Sequence, residues 1–137
     1  MTSAIGFVGV GNQGGPIALR IVRAGHPLTV WARRAEALRE FVAAGARAAL
    51  SLGDLGATSE LLGLCVTTDD DVRAVALGPG GVLAAMAPGS SLAIHSTVHP
   101  GTVREVAAEA RTRGVSVLDA PVSGGRAVAT QGKLAVF

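Results

Sequence analysis

The stretch Ile5-Gly6-Phe7-Val8-Gly9-Val10-Gly11-Asn12-Gln13-Gly14 decides the fold. Its first half belongs to an apolar run, Ala4 to Val10, that is short and bounded by glycine, so it reads as a buried parallel strand and not a helix. Pro16 to Arg23 follows, with Ile17, Ala18, Ile21 and Val22 at the spacing of one helix face. Between strand and helix the residues fit G-x-G-x-x-G. The pattern alone is weak, and a glycine-rich turn without a ligand would share it. Its place after a strand and before a helix is the context that makes it a phosphate cradle. There Gly9 permits the tight turn, Gly11 lets a pyrophosphate approach the backbone, and Gly14 lets helix and strand pack closely. The free N–H groups and dipole at the helix N-terminus favour the phosphate charge.

The alternation continues outward from this unit. Strands are expected at Leu28–Ala32, weakly at Ala46–Leu50, and at Leu61–Thr67, Ser91–His95 and Val115–Asp119. Helices are expected at Ala35–Ala44, Asp69–Leu77, Val82–Met86 and Thr102–Arg113, with Gly78-Pro79-Gly80-Gly81 as a loop. Gly25, Gly45 and Gly114 each stop a helix just before a strand, where a residue able to take positive φ is preferred. Asp69, Asp70 and Asp71 suit a helix start and read as a cap and solvated face. Strands alternating with helices imply an α/β, Rossmann-type, doubly wound and mainly parallel sheet. The expectation is one dinucleotide-binding domain over residues 1–137, with no internal repeat or linker.

Composition narrows the function classes. The net charge is only +2 and aromatic residues make up 3%, too few to stack bases, so a nucleic-acid partner is not expected. Cys65 stands alone in an apolar run, which excludes a disulfide framework and suggests a core thiol. His95 and His99 lack convergent carboxylates or cysteines, so no metal is expected. The N-terminus has no basic leader, and no apolar stretch reaches the roughly 20 residues of a membrane span. A cytoplasmic protein is the expectation. The low charged fraction, 16%, leaves apolar surface that a second domain or another copy would cover.

About 20 residues past the glycines, such domains usually carry an acid for the ribose 2′-hydroxyl. Here the stretch is Val30-Trp31-Ala32-Arg33-Arg34, without a carboxylate. Arg33 and Arg34 could be two solvated arginines starting a helix. A helix N-terminus disfavours cations, however, and guanidinium groups pair well with a 2′-phosphate. NADP is therefore expected over NAD.

With the glycine stretch, two further segments resemble the 3-hydroxyisobutyrate dehydrogenase, or β-hydroxyacid dehydrogenase, family, which includes 6-phosphogluconate dehydrogenase-like proteins. Ser96-Thr97-Val98-His99-Pro100 resembles its S-T-x-x-P stretch, and Asp119-Ala120-Pro121-Val122-Ser123-Gly124-Gly125 its D-A-P-V-S-G-G substrate signature. Gln13 stands where that family usually has Met. The resemblance implies that Gly11, Asn12 and Gln13 hold the pyrophosphate, and that Val66, Thr67 and Thr68 line the cofactor. It places Thr97 on the nicotinamide side, and Ser123, Gly124 and Gly125 at the carboxylate of a small substrate. All follow strands, at the carboxyl edge where ligands bind in open α/β sheets. Asp119 is read as structural.

The same resemblance implies an acid–base lysine in a G-x-x-x-K-x-x-x-N pattern, within a helical second domain. That pattern is missing from these residues. Lys133 is the single lysine, and Gly132-Lys133-Leu134 aligns with a strand start instead, so no catalytic residue is assigned. The apolar end, Ala135-Val136-Phe137, reads as a cut strand. Two functions stay open: the cofactor half of an oxidoreductase acting on a small β-hydroxyacid or its oxo partner, and a non-catalytic dinucleotide-binding module.

Overall fold

The first strand, β1 (Ile5–Val8), sends Phe7 to one face of the sheet and Val8 to the other, and the core divides accordingly. This is a computed structural model describing residues 3–137. Met1 and Thr2, where the N-terminus reads as having no basic leader, lie outside the described residues. On the Phe7 side lie Ala18 and Val22 of α1 (Gly14–Arg23), Leu28 and Val30 of β2 (Leu28–Trp31), and Phe41 of α2 (Arg39–Ala43). On the Val8 side lie Leu55 of α3 (Leu52–Ala57), Leu62 and Leu64 of β4 (Leu61–Leu64), and Val72 of α4 (Asp69–Leu77). Leu92 and Ile94 of β5 (Ser91–Ile94) and Val106 of α5 (Pro100–Thr112) complete that side.

Among the described residues, six strands form one sheet in the order β3-β2-β1-β4-β5-β6, where β3 is Arg47–Ala48 and β6 is Ser116–Asp119. Every pairing in it is parallel. The chain winds outward from β1 in one direction, then returns to add β4 on the other side. The order therefore reverses between β1 and β4, and the crevice at their carboxyl ends is where open sheets of this kind take ligands. The Rossmann-type reading is borne out. A short antiparallel pair, β7 (Val122–Ser123) and β8 (Ala135–Val136), follows β6 and flanks α6 (Gly125–Thr130).

The glycine stops hold, with Gly25 at φ 90° and Gly45 at φ 111°. Element bounds differ in ways that have local causes. The expected helix Ala35–Ala44 opens as a 3₁₀ turn, Ala35–Leu38. Arg34 provides no side-chain cap there, and an uncapped first turn tightens readily. Helix α3 lies in a stretch given no element by the sequence pattern. It contains Gly53 and Gly56, poor helix formers. Ser51 caps it, accepting from the Asp54 N–H at 3.0 Å, and Gly56 fits where a side chain would strike the Val82 carbonyl. The expected helix Val82–Met86 is a 3₁₀ turn, Val82–Ala84.

Candidate functional site

Gly9, at φ 95°, turns the chain out of β1, and a Cβ there would overlap the Cys65 carbonyl. Gly14 is equally constrained, because a Cβ would overlap the Gly9 carbonyl oxygen. Gly11 differs: nothing lies within 4 Å of where its Cβ would be. Two of the fingerprint glycines thus close the strand–helix turn, and the third leaves its outer side open. Gln13, at the N-cap of α1, makes no side-chain cap bond, and the first turn holds no acidic residue. In that first turn the Gly15 N–H donates to the Gly11 carbonyl at 2.8 Å and Pro16 has no N–H, so the Gly14 N–H is the one left for an anion.

Two depressions meet at this loop. One, about 290 Å³, is lined by Gly11, Asn12, Gln13 and Gly14, by Cys65, Val66 and Thr67 after β4, and by His95, Ser96, Thr97 and Val122. The other, about 300 Å³, is lined on the β2 side by Trp31, Ala32 and Arg33, and on the α4 side by Asp71 and Val75, with Val8, Gly9 and Val10 beneath. Gly11, Cys65, Val66 and Thr67 belong to both. The two depressions thus adjoin along the open face of Gly11 and the segment after β4, making one candidate groove.

The polar groups of the first depression suit a nucleotide's polar end. Ser96 is only 4% exposed, and its Oγ has no hydrogen-bond partner among the described residues. A buried hydroxyl without a partner costs free energy, which a ligand polar atom reaching that wall would recover. His95 stacks on Phe7, with ring centroids 6.1 Å apart, and its Nδ1 lies 2.9 Å from the Ala120 carbonyl. That bond joins the end of β5 to the Asp119–Gly125 segment.

The groove gathers most of the expected cofactor residues: Gly9, Gly11, Asn12, Gln13, Gly14, Arg33, Val66, Thr67 and Thr97. Arg34 lines neither depression and precedes the 3₁₀ turn. Thr68 is the N-cap of α4, its hydroxyl accepting from the Asp71 N–H at 3.1 Å while the Asp71 carboxylate accepts from the Thr68 N–H at 3.2 Å. The cap thus belongs to Thr68, and the aspartates divide: Asp69 braces α5, Asp70 is exposed, and Asp71 closes the capping box. Ser123, Gly124 and Gly125 lie beyond the first depression, next to Val122, which reaches it. Gly124, at φ 140°, packs against Val128 and Leu134.

Cys65 is half-buried and packs against the Phe7-side core, as expected of a core thiol, and it also lines both depressions; burial pushes its thiol pKa up. Trp31, Asp71, His95 and Ser96 were assigned no cofactor-binding role in the sequence reading. Ser96 sits inside the S-T-x-x-P segment, and that placement was the available signal. Among the described residues, no cluster of His, Cys, Asp or Glu could hold a metal ion, and no helix is long and apolar enough to cross a membrane.

A sequence model of the NAD binding domain of 6-phosphogluconate dehydrogenase matches residues 4–137. An uncharacterized oxidoreductase of Mycobacterium tuberculosis is 39% identical over 136 residues, 99% of this chain and 46% of that protein. The structure of Mycobacterium tuberculosis 3-hydroxyisobutyrate dehydrogenase with L-serine superposes with a TM-score of 0.91 at 32% identity, over 99% of this chain and 46% of that one. Psf3, solved in complex with NADP+ and 2-OPP, superposes with a TM-score of 0.92 at 28% identity, over 97% and 47%. The chain spans about half the length of the curated relatives it matches.

Proposed function

From the premise that this chain belongs to the family of the NAD binding domain of 6-phosphogluconate dehydrogenase, we propose that it is the NADP-preferring cofactor domain of an oxidoreductase acting on a small β-hydroxyacid or its oxo or semialdehyde partner. NAD(P) binding in a 3-hydroxyisobutyrate dehydrogenase-like oxidoreductase domain is the family's common ground. The cofactor preference, the substrate class, a cytoplasmic setting and assembly into a homo-oligomer are the reading proposed here.

The observation that carries it is the pair of depressions sharing the open face of Gly11, one lined by the Arg33 guanidinium and the other by a buried, unpartnered hydroxyl. Gly11 to Gly14 would take the pyrophosphate on backbone N–H groups. Arg33 would pair with the 2′-phosphate, with Arg34 nearby in sequence. Val66 and Thr67 would form the groove floor, with Thr68 holding the start of α4. Thr97 and Ser96 would orient the nicotinamide amide. When bound, the cofactor would donate hydride to the oxo partner in its reduced form, or accept it from the hydroxyacid in its oxidised form. Ser123, Gly124 and Gly125 would hold the substrate carboxylate beyond Val122, set against the groove by the His95–Ala120 bond.

The test is direct titration of the chain with NADPH and NADH by calorimetry. Tighter NADPH binding supports the reading; equal affinity, or preference for NADH, overturns the cofactor assignment. Adding glyoxylate or succinic semialdehyde to the NADPH-loaded chain then asks about chemistry. No acid–base lysine is assigned in these residues, so binding without turnover is expected. Steady oxidation that vanishes in Lys133→Ala would overturn that expectation.

A further inference from the structure

Two residues that line the Arg33-bearing depression form an ion pair. Arg33 Nη2 lies 3.6 Å from Asp71 Oδ1, joining the segment after β2 to the first turn of α4. Both residues line the depression, from opposite walls. The Arg33 side chain is 75% exposed and that of Asp71 35%, so the arginine is the more solvated partner. The aspartate is held by the capping box: Asp71 Oδ2 accepts from the Thr68 N–H while Oδ1 faces Arg33.

We propose that Asp71 is a specificity-determining residue of this groove: its carboxylate competes with a ligand's 2′-phosphate for the Arg33 guanidinium. The proposal rests on the NADP reading above and deepens it. A ligand carrying only a ribose hydroxyl has no anion with which to draw Arg33 from Asp71. A ligand carrying a 2′-phosphate replaces one anion with another of higher charge, and the exchange is favourable by the difference. Asp71 therefore lowers the affinity for every 2′-phosphorylated ligand by the strength of the pair it must give up. It also holds Arg33 toward α4 when no such ligand is bound. An exposed pair at this distance is weak, so the effect is roughly two- to fivefold.

The experiment uses 2′,5′-ADP and 5′-ADP as probes, titrated calorimetrically at low ionic strength into the wild-type chain, Asp71→Asn, Arg33→Ala and the double variant. Asparagine keeps an oxygen to accept from the Thr68 N–H, so the cap is preserved. Asp71→Ser repeats the comparison should the first variant be unstable. The expected result is about two- to fivefold tighter binding of 2′,5′-ADP to Asp71→Asn, with 5′-ADP unchanged, and no gain in the Arg33→Ala background. Equal changes for both probes, or no change, overturns the proposal. A gain that persists without Arg33 also overturns it, because Asp71 would then repel the phosphate directly. The wild-type column judges the cofactor reading separately. Equal wild-type affinity for the two probes sinks NADP preference, and a gain in Asp71→Asn would still uphold the competition.

Discussion

Thr102 Oγ1 donates a 2.6 Å hydrogen bond to Asp69 Oδ2, tying the first turn of α5 to the first residue of α4. The His99 N–H donates to the same oxygen at 3.0 Å, and Arg73 bonds both Thr102 Oγ1 and Glu105. Asp69 thereby pins the carboxyl end of the Ser96–His99 segment, which carries Thr97 to the groove wall.

That brace has a pH signature. The Thr102 hydroxyl, and after it the His99 N–H, hold the Asp69 carboxyl below its ordinary value of 3.8. A depressed carboxyl stabilises the fold when ionised, so its contribution is fully present above the unfolded-state pKa and is lost as pH falls through the lower folded-state value. Asp69→Asn should be less stable than wild type at neutral pH, with the gap closing below about pH 4. Urea denaturation across the pH range measures this. A gap of constant size down to strong acid would show that the ionised carboxylate is not the stabilising form.

Gly14 and Gly11 should respond oppositely to alanine. Gly14→Ala drives a Cβ into the Gly9 carbonyl and should destabilise the fold by about 1–3 kcal/mol, the usual cost of overpacking. Gly11→Ala meets open space, so thermal stability should stay near wild type while NADPH affinity falls roughly tenfold, about 1.4 kcal/mol. Thermal melts beside calorimetric titration separate the two. A Gly11→Ala variant that binds normally would remove the pyrophosphate from this loop.

Arg33 and Arg34 should not be equivalent. Arg33 lines the groove, whereas Arg34 does not. Arg33→Ala should weaken NADPH binding by about tenfold or more, within the 1.5–3 kcal/mol of a charge-assisted bond, and leave NADH binding nearly unchanged. Arg34→Ala should have the smaller effect. Equal losses from the two variants would mean that both guanidinium groups reach the phosphate.

Substitutions in the Ser123–Gly125 segment separate substrate recognition from folding. Gly124 has φ 140°, and its Cβ would come within 2.7 Å of Val128 Cγ1. Gly124→Val should therefore lower the melting temperature, and any loss of binding in it reflects the fold. Ser123 is exposed, so Ser123→Ala should keep both the melting temperature and NADPH affinity. In an enzyme that contains this domain, it should raise KM for the carboxylate substrate. An unchanged KM would move the carboxylate elsewhere.

The parallel α/β alternation and the dinucleotide cradle were legible in the chain because they rest on local signals: apolar runs of strand length, glycines closing helices, and a glycine spacing whose steric meaning is the same wherever strand meets helix. Two short elements, α3 and β7, were not legible. Helix α3 is built on glycines and exists because Ser51 caps it and Val82 admits Gly56; the strand at Ala135–Val136 was legible in its apolar run, but β7 and its antiparallel pairing with it were not. The working details of the groove belong wholly to the folded chain. Arg33 faces Asp71 across 38 positions, His95 meets Ala120 across 25, and Cys65 becomes a shared floor only because β4 lies beside β1. Residue type and spacing can specify a backbone turn. Which side chains meet across a cleft depends on how the sheet reverses its order, and that reversal brings together residues with no periodic relation along the chain.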